Sequence, residues 1–121
     1  MAKKILIVED DPDIISLLEF RLRDKGFDVL TATDGAEGLE IARREHPDLI
    51  TLDINLPEVN GFTVCSMLKA DPQYSDIPII MLTARDGATD SVFDDSVKPE
   101  TYITKPFDID DLIEKIHALT S

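Results

Sequence analysis

The sequence predicts an α/β domain built on a parallel sheet of five strands with helices on both faces. Two observations predict it. Short apolar runs alternate with amphipathic segments along the whole chain, which is the signature of repeated strand–helix units. The clearest run, Leu49-Ile50-Thr51-Leu52-Asp53-Ile54-Asn55-Leu56-Pro57, is mostly apolar up to an aspartate and then meets a turn signal, as a buried strand of a parallel sheet does. Right-handed crossovers would place the carboxyl end of every strand on one edge, where open α/β sheets bind ligands.

Lys3 to Val8 reads as the first strand and ends in Glu9-Asp10-Asp11. Pro12 suits a first helical turn, where its missing N–H costs nothing. Ile14, Leu17, Leu18 and Leu22 then follow helical spacing, and Lys25-Gly26 supplies the stop. Phe27 to Ala32 is the second strand. Thr33-Asp34-Gly35 turns the chain into a helix over Ala36 to Arg44, with Leu39, Ile41 and Ala42 inward. His46-Pro47 ends it, and Asp48 to Asp53 is the third strand. After the loop from Pro57 to Gly61, Phe62, Cys65, Met67 and Leu68 mark a helix ending near Asp71-Pro72. Ile77 to Leu82 is the fourth strand, leading into Thr83-Ala84-Arg85. Tyr102 to Thr104 is a short fifth strand followed by Lys105-Pro106-Phe107. Asp108 to Leu119 is a final amphipathic helix with Ile109, Leu112, Ile113 and Ile116 inward and Asp108 as its cap.

Between the fourth and fifth strands the pattern is poor. Residues 86–100 hold five Asp and Glu, with Ala88, Val92, Phe93 and Val97 as the apolar anchors. A helix over Thr89 to Ser96 is expected there. Pro99 disfavours helix at Lys98, so this helix is expected to be short, frayed or shifted.

Composition narrows the function. A chain that is 43% apolar and 31% charged is neither disordered nor a membrane protein. No apolar run reaches the roughly eighteen residues that span a bilayer, and the run behind Met1-Ala2-Lys3-Lys4 is too short for an export segment. Twenty-five acids against twelve bases give a net charge of −13, which disfavours direct contact with nucleic acid and favours cations and basic partners. A single cysteine, Cys65, excludes an internal disulfide and fits a reducing cytoplasm; its apolar neighbours mark it as a packed thiol. His46 and His117 read as surface histidines. One domain spanning 1–121 is expected.

The strand ends deliver a constellation. The first gives Glu9, Asp10 and Asp11, the third Asp53, the fourth Thr83 and the fifth Lys105. Converging carboxylates raise one another's pKa unless a cation is bound. A few carboxylates plus water are how proteins hold Mg²⁺. A divalent cation, a lysine and a hydroxyl around one aspartate are what phosphoryl transfer to that aspartate needs. Each residue alone has a plainer role: an acid at a strand end can cap the next helix, Asp11 above all, and Lys105 can simply pair with an acid.

On these residues the chain resembles a response-regulator receiver domain of two-component signalling, of the chemotaxis-regulator type, over essentially its whole length. The resemblance rests on Ile5-Leu6-Ile7-Val8-Glu9-Asp10-Asp11, the Pro47 to Pro57 run, Leu82-Thr83-Ala84-Arg85, and Tyr102-Ile103-Thr104-Lys105-Pro106-Phe107. It implies a doubly wound, flavodoxin-like sheet in strand order 2-1-3-4-5. It implies that Asp53 is the phosphoacceptor and that Mg²⁺ (or Mn²⁺) is held by Glu9, Asp10, Asp53 and the backbone carbonyl of Asn55. Thr83 and Lys105 would stabilise the phosphoryl group, Thr83 and Tyr102 would form the switch, and the Lys105–Pro106 bond would be cis. Asn55 and Arg85 would tune dephosphorylation. For Tyr102, an inward switch position stands beside a half-buried strand aromatic with its hydroxyl in water. The implied partners are a sensor histidine kinase or phosphotransfer protein and a downstream protein target. The implied chemistry is limited to its own phosphorylation and slow autodephosphorylation, so the chain is not expected to be an enzyme on other substrates.

Three rivals share parts of the pattern. A haloacid-dehalogenase-like phosphatase needs a carboxylate two residues past its nucleophile, where this chain has Asn55. A flavin-binding flavodoxin needs a phosphate cradle after the first strand, where Glu9-Asp10-Asp11 would repel it. A pseudo-receiver that only binds protein is disfavoured by the complete set of Asp53, Thr83 and Lys105. The chain is expected to be a stand-alone receiver or the receiver part of a larger transcription regulator.

Overall fold

The computed structural model describes residues 2–56, 59–83 and 99–121. Five strands form the sheet: Lys4–Val8 (β1), Asp28–Ala32 (β2), Leu49–Asp53 (β3), Ile79–Thr83 (β4) and Thr101–Thr104 (β5). All four pairings are parallel, in the order β2-β1-β3-β4-β5. The described helices are Pro12–Asp24 (α1), Gly35–Glu45 (α2), Gly61–Ala70 (α3) and Ile109–Thr120 (α4). The helix expected over 89–96 lies outside the described residues.

The helices start where the sequence supplies side-chain acceptors for their unpaired N–H groups. Asp11 accepts from the Asp13 N–H, Asp34 from Glu37, Asn60 from Thr63, and Asp108 from Asp110 and Asp111. Pro12 occupies the first turn of α1 as expected. Gly26, at φ 94°, adopts the left-handed turn that carries the chain from α1 to β2.

Strand alternation sorts the side chains into two cores. Leu6, Val8, Ile50, Leu52, Ile79 and Met81 pack under α2 and α3, with Leu39, Ala42, Val64, Cys65 and Leu68. Ile5, Ile7, Leu49, Ile80, Leu82 and Ile103 pack under α1 and α4, with Leu18, Leu22, Leu112, Ile113 and Ile116. Burial on both faces explains why the strands read as continuous apolar runs.

Several boundaries differ from the sequence reading. β4 begins at Ile79 rather than Ile77, because Pro78 has no N–H to contribute to a ladder. Ile77 is buried all the same, and its N–H bonds the Tyr74 carbonyl in the preceding turn. Leu17 and Met67 are not inward: they are 49% and 41% exposed. Each is followed in the chain by a leucine, Leu18 or Leu68, that is fully buried. His46 is a surface residue as expected, but it also ends α2 in the left-handed conformation at φ 46°. Its ring Nε2 donates to the Gln73 carbonyl, and the ring packs against Tyr74.

Candidate phosphoryl-acceptor site at the carboxyl edge of the sheet

The alternation that builds the second core also builds the site. Glu9 follows Ile5 and Ile7, Asp53 follows Leu49 and Thr51, and Lys105 follows Ile103, so all three belong to the α1/α4 side of the sheet. β1 and β3 are direct neighbours, which brings Glu9 beside Asp53. Asp53 is only 3% exposed and Glu9 only 1%. The Lys105 ammonium donates to Asp53 Oδ2 at 3.0 Å and reaches Glu9 Oε1 at 3.4 Å. Asp53 Oδ1 accepts the Asn55 N–H at 3.1 Å. Both oxygens of the buried carboxylate therefore have a donor, one of them charged.

Asp10 completes the acidic group. Carboxylate oxygens of Glu9, Asp10 and Asp53 lie within 4.8 Å of one another, with Asp10 exposed to solvent. Burial, and then the negative charge of Asp53, push the Glu9 carboxyl up from 4.5 to about 7, although Lys105 opposes them. Burial works against the Lys105 ammonium, but its hydrogen bond to Asp53 and the charges of Asp53 and Glu9 hold its pKa above the ordinary value. One lysine thus faces three acids, a set short of positive charge. An all-oxygen donor set with two buried members and one open to water fits a hard divalent cation that keeps part of its hydration shell.

Asp11 is not part of this group. It caps α1 and donates its N–H to Glu9 Oε2 at 3.3 Å, so it steadies Glu9 from the side.

Thr83 ends β4, pairs in register with Thr104, and is 2% exposed. By alternation it shares the face of Met81, the α2/α3 side, opposite to that of Asp53. Tyr102 packs against that same core from β5, and its hydroxyl oxygen is buried. The reading with the Tyr102 hydroxyl in water is therefore not the one found. The Lys105–Pro106 peptide bond is cis. Arg85 and Pro57 lie outside the described residues.

A profile of the family described as response regulator receiver domain matches residues 5–117. The chain belongs to that family. The receiver is 42% identical over 116 residues to the DNA-binding dual master transcriptional regulator RpaA of Synechocystis, a match covering 96% of this chain and 48% of that protein. It is 42% identical over 119 residues to the alkaline phosphatase synthesis transcriptional regulatory protein PhoP of Bacillus subtilis, covering 98% and 49%. The receiver thus spans about half the length of these curated relatives. Among solved structures, it superposes with TM-score 0.86 and 28% identity on the receiver domain of sensor histidine kinase PA1611 from Pseudomonas aeruginosa, covering 99% of this chain and 98% of that one. That structure carries a magnesium ion coordinated in its active-site cleft.

Sequence reasoning missed one feature beneath this receiver's site: the close backbone approaches at Gly35 and Gly61. Neither has a sequence signal of its own, since a glycine is informative only once its neighbour is known.

Proposed function

We propose that Asp53 is the phosphoacceptor of this receiver, taking its phosphoryl group from a phosphohistidine on a sensor kinase or phosphotransfer protein. The observation that carries the reading is the setting of its carboxylate. It is buried at the functional edge of the sheet, with an ammonium on one oxygen, a main-chain N–H on the other, and two more acids close by. An Asp53 oxygen attacks phosphorus, and the phosphorus–nitrogen bond of the donor breaks. The imidazole leaves with the electron pair and takes up a proton, and Asp53 is left as an acyl phosphate.

Glu9, Asp10, Asp53 and the Asn55 carbonyl would hold Mg²⁺, with Mn²⁺ as a substitute; the bound cation supplies charge neutralisation at the phosphoryl oxygens. Lys105 stabilises the Asp53 carboxylate before reaction and pairs with a phosphoryl oxygen after it. Thr83 donates its hydroxyl to the phosphoryl group, and Tyr102 shares its face of the sheet, so the two act as one switch across β4 and β5. The added charge at Asp53 shifts the population of that switch and so changes the protein surface offered to a downstream target. Asn55 and Arg85, each two residues beyond a site residue, tune hydrolysis of the acyl phosphate.

The domain acts on itself and on no other substrate, and it works in the cytoplasm. Among the described residues no helix is long and apolar enough to cross a membrane. A net charge of −13 makes this domain a poor partner for a phosphate backbone. Two relatives at 42% identity are transcriptional regulators of about twice its length, which favours a second reading of output. In that reading the receiver controls a DNA-binding part lying outside these 121 residues.

The metal requirement is tested by phosphorylation with acetyl phosphate across a Mg²⁺ titration. Adduct formation should vanish in excess EDTA, and Asp10→Asn should shift the titration to higher Mg²⁺. Equal labelling with and without EDTA would remove the cation from the mechanism.

A further inference from the structure

Two glycines open helices beside the site, Gly35 at the start of α2 and Gly61 at the start of α3. Neither has the left-handed φ that usually explains a glycine; among the described glycines only Gly26 does. What they share is lack of room. A Cβ on Gly35 would lie 1.7 Å from the Val59 carbonyl oxygen and 2.7 Å from its carbon. A Cβ on Gly61 would lie 2.3 Å from the Asp53 carbonyl oxygen and 2.8 Å from the Ile54 Cα. In both cases the obstacle is backbone, which cannot swing aside as a side chain can.

Both obstacles belong to the same connection, the one that leaves β3 at Asp53 and enters α3 at Gly61. Hydrogen bonds close its ends: the Gly61 and Leu56 N–H groups both donate to the Ile54 carbonyl, at 3.0 and 3.1 Å. Asn55 lies inside this closure and donates its N–H to Asp53 Oδ1. Val59 leads through Asn60 to Gly61, and the Gly61 N–H holds Ile54, so a shift at either glycine moves the Asn55 peptide relative to the Asp53 carboxylate.

We propose that Gly35 and Gly61 are positioning residues for cation binding. Two helix starts without Cβ atoms let Val59 sit down on α2 and the Asp53–Ile54 backbone on α3, and this fixes the Asn55 carbonyl against Asp53. Gly35 is the less expected of the two, because it belongs to a helix that supplies no residue to the site. The inference rests on the reading of Asn55 as a cation ligand.

The test is the Mg²⁺ dissociation constant of the folded protein, read by calorimetric titration. Gly35→Ala and Gly61→Ala are compared with wild type and with Gly26→Ala. The last is destabilised by left-handed strain far from the site, with nothing within 4 Å of its added Cβ. Misplaced support for a metal ligand typically weakens binding by about tenfold or more. Gly35→Ala and Gly61→Ala should show that loss while Gly26→Ala binds as wild type does. Labelling by acetyl phosphate should recover in both when Mg²⁺ is raised to saturation. If Gly35→Ala does not fold, Gly61→Ala alone decides. Wild-type affinity in the folded glycine variants, or an equal loss in Gly26→Ala, overturns the inference while leaving the site reading intact. Failure of the wild type to bind Mg²⁺ overturns the site reading and the inference with it.

Discussion

At the scale of single residues, Glu9 is the group most altered by its surroundings. Its carboxyl is raised from 4.5 to about 7, so between those values the folded protein holds a proton that the unfolded chain has lost. Stability from this group is complete below pH 4.5 and is lost as pH rises through 7. The metal-free protein should therefore lose on the order of 1–3 kcal/mol between pH 5 and pH 7.5 that a Glu9→Gln variant does not lose. Mg²⁺ should return more stability at pH 7.5 than at pH 5. Urea titrations at the two pH values check both statements; a Glu9→Gln variant with the same pH dependence as wild type would contradict them. Thr51 is a second such residue. Its hydroxyl is fully buried in β3, two residues before Asp53, with no hydrogen-bond partner among the described residues. Replacing it with valine removes an unpaired polar atom at nearly constant shape. Thr51→Val should raise the unfolding free energy by about 1 kcal/mol, measured by chemical denaturation with labelling unchanged.

At the scale of elements, an ion pair with one buried member, Lys69, ties the far end of α3 to the sheet. The Lys69 side chain is 5% exposed and donates to Glu100 Oε2 at 2.6 Å and to the carbonyls of Ser75 and Ile77. Glu100 in turn accepts the Ile79 N–H at 2.7 Å, so the entries of β4 and β5 and the end of α3 meet in one network. Lys69→Met leaves the carboxylate and two carbonyls without their cation and should cost roughly 2–4 kcal/mol, less than a fully buried pair because Glu100 is partly exposed. A thermal or urea melt of that variant measures it, and a loss below 0.5 kcal/mol, about that of an ordinary surface substitution, would contradict the account. This network was not legible in the sequence. The partners are 31 residues apart, and a lysine and a glutamate read as surface charges until topology joins them. The strand ends were legible because period and burial agree there. Asp53 and Glu9 stand where apolar runs stop, and a parallel sheet sends all such stops to one edge. Leu17 keeps the helical spacing yet is half exposed, because spacing fixes a stripe but not its width. Which face carries Thr83 followed only from the packing of β4, since Thr83 alternates with Ile79 and Met81, which lie under α2 and α3.

At the scale of the whole molecule, the sheet divides labour between its faces. The α1/α4 side carries the charged trio of Glu9, Asp53 and Lys105, and the α2/α3 side carries Thr83 and Tyr102. β4 and β5, paired in register from Ile80–Thr101 to Thr83–Thr104, are the structural link between the two. In the proposed function, a charge added at Asp53 acts through this link on the face that carries Thr83 and Tyr102. All of this depends on Asp53 being the group that takes the phosphoryl. The most direct measurement is the intact mass of wild type and Asp53→Asn after incubation with acetyl phosphate and Mg²⁺. The account predicts one phosphoryl group on the wild type and none on the variant. An unmodified wild type, or equal adducts on both, would contradict it.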